Sequence, residues 1–70
     1  MSDIFCACII GHKTARLFAE MLDSMGVPVI ERSIEPYKLS YGGWTTFHTF
    51  KISSDYEEDT DFAYLCLQND

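Results

Sequence analysis

The sequence predicts an α+β domain of order β-α-β-β-β, with one helix packed on one face of a mostly antiparallel four-stranded sheet. Three observations carry this reading. A short apolar run opens the chain at Ile4-Phe5-Cys6-Ala7-Cys8-Ile9-Ile10, a helical period follows from Thr14 to Met25, and glycine-marked alternation surrounds Gly42-Gly43.

Each element follows from local chemistry. The run Ile4–Ile10 is continuously apolar, as expected of a strand buried on both faces near a sheet centre, and Gly11 ends it. Ala15, Phe18, Met21, Leu22 and Met25 then fall on one helical stripe, with Arg16, Glu20 and Asp23 opposite. Thr14 is placed to cap that helix and Gly26 to end it in the left-handed conformation. Val27 starts a second strand running to about Ile34. Pro36 lacks a donor and marks it as an edge strand or a bend, with Tyr37–Tyr41 as a further segment. Gly42-Gly43 makes a hairpin turn. From Trp44 to Ile52, the set Trp44, Thr46, His48, Phe50 and Ile52 alternates with Thr45, Phe47, Thr49 and Lys51. Ser53–Asp61 reads as an acidic loop, and Phe62–Leu67 as a last apolar strand.

Composition bounds the function. Seventy residues form a single domain, 1–70, whose small core leaves stability marginal. Four tyrosines, five phenylalanines and a tryptophan exceed what such a core hides, which predicts a sticky face or a homodimer. Met1-Ser2-Asp3 lacks the basic segment of a secretory leader, and the apolar run is too short to cross a bilayer. The odd set Cys6, Cys8 and Cys66, lying in apolar stretches, suits buried reduced thiols in a cytoplasm. The net charge of −6 is concentrated: Asp55, Glu57, Glu58, Asp59 and Asp61 lie together, and the remaining six acids nearly balance five bases. Direct nucleic-acid binding through a basic surface is disfavoured.

Four groups of residues are candidate sites. His12, Lys13 and Arg16 start the helix, where unpaired amides attract anions and where bases are unfavourable without a negative neighbour. That neighbour is either a bound phosphate or carboxylate, or Glu20 and the acids of 55–61. Gly11-His12-Lys13-Thr14 falls short of a phosphate-binding loop, because His12 and Ala7 stand where glycines are needed. Cys6, Cys8, His12 and Cys66 lack the paired spacing of a zinc site, and packing thiols are the simpler account. The acidic segment alternates like a calcium loop, but Thr60 and Cys66 replace its glycine and bidentate glutamate. It reads instead as a solvated loop or a docking surface for a basic partner. Finally, Tyr37, Tyr41, Trp44 and Phe47 surround the hairpin turn; they either cover helix and sheet or form an interface. His48, set among Thr and Phe, reads as structural. No nucleophile motif, cofactor site or metal set is evident.

Ala15–Glu31, including the join Gly26-Val27-Pro28, resembles the helix and following strand of small glutaredoxin-like redoxins. Gly43-Trp44-Thr45-Thr46-Phe47 is similar to their later Gly-x-x-Thr-hydrophobic strand entry. Gly11-His12-Lys13-Thr14 stands in place of the C-x-x-C, and His48 in place of the proline expected after Phe47. The resemblance therefore implies a degenerate redoxin relative rather than a redox enzyme. The combined expectation is a non-enzymatic acidic module that binds another protein, as an inhibitor or accessory factor of phage or mobile-element type. A small-anion or nucleotide sensor is the alternative, and a redoxin-like or zinc-binding protein the third reading.

Overall fold

The computed structural model describes residues 3–68. Met1 and Ser2, on which the leader expectation rests, lie outside them. The order is β1 (Ile4–Ile10), α1 (His12–Ser24), β2 (Val29–Lys38), β3 (Trp44–Ser53), a 3-10 turn over Ser54–Tyr56, and α2 (Glu57–Gln68). The α+β class stands, but the sheet has three strands and a second helix replaces the fourth.

β3 is the middle strand, antiparallel to both neighbours in the order β1-β3-β2. β1 and β2 therefore run parallel with β3 between them, a split β-α-β arrangement. Alternation along β3 sends His48, Phe50 and Ile52 toward the helices, where all three are fully buried. Phe50 and Ile52 meet Ala15, Phe18 and Leu22 of α1 and Ala63 of α2 in one cluster with Ile9 and Val27. Phe18 and Phe50 pack edge to face at 5.2 Å. Both helices lie on this face, so the opposite face of the sheet is bare. Among the described residues no helix is long and apolar enough to cross a membrane.

α1 begins two residues before the expected cap. Gly11, at φ 100°, turns the chain straight from strand into helix, and no side chain caps it. The other end matches expectation: Gly26 sits at φ 75°, its N–H bonds to the Asp23 carbonyl, and the Val27 N–H reaches the Leu22 carbonyl at 2.9 Å. This paired ending satisfies orphan carbonyls and buries Val27 against the core, which delays β2 to Val29.

β1 is an edge strand, not a central one. Phe5, Ala7 and Ile9 face the helices, whereas Ile4, Cys6, Cys8 and Ile10 face solvent. Cys6 and Cys8 are accordingly exposed rather than buried, because helices cover only one side. β2 forms the other edge, as Pro36 requires, and continues unbroken to Lys38 with a bulge between Val29 and Glu31. In this register the odd residues of β2 bond to β3, so Pro36 lacks only an outward N–H.

The second helix corrects the reading of residues 53–67 as a loop and a strand. Tyr56, Thr60, Ala63 and Leu67 recur at helical spacing and face the core, with Thr60 and Ala63 fully covered. Ser53 Oγ accepts the Asp55 N–H at 3.3 Å, and Glu57, Glu58 and Asp59 occupy the first turn, where carboxylates offset the positive end of the dipole. Phe62 is an exposed position inside this helix. Phe62→Pro should therefore cost about 3 kcal/mol in urea unfolding, through a lost helical bond and a ring clash; a loss below about 0.5 kcal/mol would contradict the helix.

Candidate functional site

The hairpin carries the aromatic candidates beyond the body of the sheet. β1 ends opposite Phe47, so the residues nearer the turn form a two-stranded ribbon past it. Leu39 and Gly43 close the turn with a 3.1 Å bond, and Gly42 and Gly43 both hold positive φ. Tyr41 is 85% exposed and Trp44 69%. Tyr37 stacks on Phe47 at 5.8 Å on the bare face of the sheet, so neither packs on a helix.

The acidic candidates lie at the far end of β3. Asp55, Glu57, Glu58, Asp59 and Asp61 are all exposed around the start of α2. Ten residues of strand separate them from the hairpin, about 30 Å at roughly 3.3 Å per residue. The two groups are separate surfaces and do not form one site.

The helix-start candidates are exposed as well. Arg16 is 3.7 Å from Glu20, one turn along, so the negative neighbour on its own helix is present. Lys13 has no ion-pair partner among the described residues. His12 leans on the buried ring of His48, centroid to centroid 5.7 Å. Cys66 lies on α2, in the layer opposite Cys6 and Cys8, rather than on a neighbouring strand. Among the described residues no three His, Cys, Asp or Glu side chains are grouped for a metal.

The sequence did not foreshadow a polar cluster on the helix side. The Arg32 guanidinium donates to His48 Nδ1 at 3.3 Å, and Thr46 Oγ1 lies 2.7 Å from Nε2. Arginine is an obligate donor, so Nδ1 accepts and Nε2–H donates to the threonine. A hydroxyl beside an imidazole resembles a nucleophile and its base, but this tautomer has no free lone pair facing Thr46. Arg32 also sits 4.8 Å above the Phe50 ring, roofing the core where no helix reaches. The available signal was His48 on the inward stripe with Phe50 and Ile52, which required a partner for its ring.

Fold and surfaces define a small two-layer split β-α-β domain with an aromatic hairpin and an acidic helix start. No family model, curated protein or solved structure matches the chain.

Burial holds the His48 pKa below its ordinary value near 6.5, reinforced by the positive charge of Arg32 and by His12. The folded ring therefore binds a proton less readily than the unfolded one, and its contribution is fully present above about pH 6.5. Stability should fall as the pH drops below that value. Urea unfolding between pH 7.5 and 5 should show this slope, and His48→Gln should flatten it.

Proposed function

We propose that this domain is a non-enzymatic interaction module of the cytoplasm that grips another protein through its hairpin. The observation that carries the reading is the pair Trp44 and Tyr41, left in water on a ribbon whose turn is held by Gly42 and Gly43. Exposed large aromatics on a preformed turn lose little entropy on binding and supply most of an interface's energy. Tyr37 and Phe47 give the ribbon a stacked base. The acids of α2 steer a partner with a basic surface from a distance, raising the rate of encounter. Such a module acts by occupying its partner, as an inhibitor or accessory protein of a phage or mobile element does.

Capture of a purified partner should weaken at least about 30-fold in Trp44→Ala and in Tyr41→Ala, the loss expected for a hot spot of about 2 kcal/mol. Far-ultraviolet circular dichroism should be unchanged. Replacing Glu57, Glu58 and Asp59 by Gln should slow association and reduce its salt dependence, with little change in dissociation. Equal capture by Trp44→Ala and wild type would remove the hairpin from the interface.

The uncapped start of α1 favours a second reading, anion binding by Lys13, Arg16 and His12. Phosphate, nucleotides and carboxylates should then raise the melting temperature of wild type but not of Lys13→Ala; no shift with any of them would dispose of it.

A further inference from the structure

We infer that the free edge of β1 is a pairing surface for a second copy of this chain, with the two β1 strands antiparallel and Ala7 on the two-fold axis. The backbone fixes which groups are free. Asp3 accepts from the Ser54 N–H at 2.7 Å, and the Gly11 N–H reaches the Thr46 carbonyl at 2.8 Å. Both pairs belong to the register that joins Ile4 to Ser53 and Ile10 to Phe47. Odd residues of β1 therefore bond to β3, and Ile4, Cys6, Cys8 and Ile10 point their N–H and C=O groups outward.

The two edges of the sheet are unlike. β2 carries Glu31, Arg32, Glu35 and Lys38, lacks an outward N–H at Pro36, and is bulged near Val29. These are the devices by which an edge refuses a further strand. β1 has none of them: its seven residues hold no charge and no proline, and its register is unbroken. Shallow depressions run beside it under α2, lined by Phe5, Thr60 and Tyr64 at one end and by Ile9, Thr14 and Leu67 at the other. They leave room for the inward side chains of an added strand.

A second copy matches this edge in hydrogen bonding and in charge. With Ala7 on the axis, Ile4 faces Ile10 of the other chain and Cys6 faces Cys8, so every outward N–H and C=O finds a partner. The same rotation brings the acidic start of α2, with Glu57 and Asp61, toward the end of the other chain where Lys13 has no ion-pair partner among the described residues. A chain of net charge −6 thus meets its copy along an uncharged strand flanked by opposite charges. This assembly is independent of what the hairpin binds.

The register makes the test specific. Directly opposite residues of a hydrogen-bonded pair lie about 5.5 Å apart at Cα, within disulfide range. Diamide, which takes up the two electrons and two protons of two thiols, should cross-link Cys66→Ser chains into a dimer. In that background Cys6→Ser or Cys8→Ser alone should cross-link at least about tenfold less, because each remaining thiol faces a serine. An equimolar mixture of the two should regain the bridge. Sedimentation at about 100 μM should give twice the 8.0 kDa chain mass for wild type. Cys8→Pro, which removes only an outward N–H, should give the monomer. A monomeric wild type, or single-thiol variants that cross-link as well as the parent, would overturn the assignment.

Discussion

Every other element takes its place from the two-sided bonding of β3. Its even residues bond to β1 and its odd residues to β2, while the even side chains His48, Phe50 and Ile52 all point one way. With β1 and β2 parallel and separated by a strand, the link between them has to cross a face of the sheet. The apolar side chains of β3 decide which face. Phe18 and Leu22 follow them, each worth about 1.5–3 kcal/mol when fully buried, and α2 adds Ala63 beside them. The opposite face, where Thr49 and Lys51 point, is left to water, with Lys51 and Glu31 joined at 2.8 Å across it.

Placing an imidazole on the inward stripe brings a polar group into a core that cannot leave it unpaired. Thr46 lies two residues away on the same strand face, and Arg32 reaches in from the edge. Arg32 performs two tasks at once, because its charge also lies over the Phe50 ring. β2 is exposed along its whole length, and this guanidinium stands where a third helix would otherwise be needed.

Much of this is legible in the residues. The stripe of α1, the left-handed Gly26, the alternation of β3 and the edge placement of Pro36 are local signals with local reasons. The apolar runs at 4–10 and 62–67 mislead because a short apolar run looks the same in a central strand, an edge strand or a helix. For 62–67 the deciding signal lay upstream. Tyr56, Thr60, Ala63 and Leu67 keep a helical beat, and carboxylates crowd the first turn, but reading Ser53–Asp61 as a loop splits that pattern. For 4–10, Cys6 and Cys8 look buried by composition, and only the one-sided helix layer exposes them. The Arg32–His48 contact joins residues 16 apart, a juxtaposition that only the β2–β3 register creates.

Pro36 and the charges beside it have a consequence beyond the strand that carries them. A sheet with two receptive borders adds molecules at both, and nothing limits its growth into a filament. Here the β2 border carries Pro36 and charges while the β1 border carries neither, so under the proposed pairing association through strands reaches closure after a single addition. A fibre would need Pro36 and its charged neighbours to be lost first.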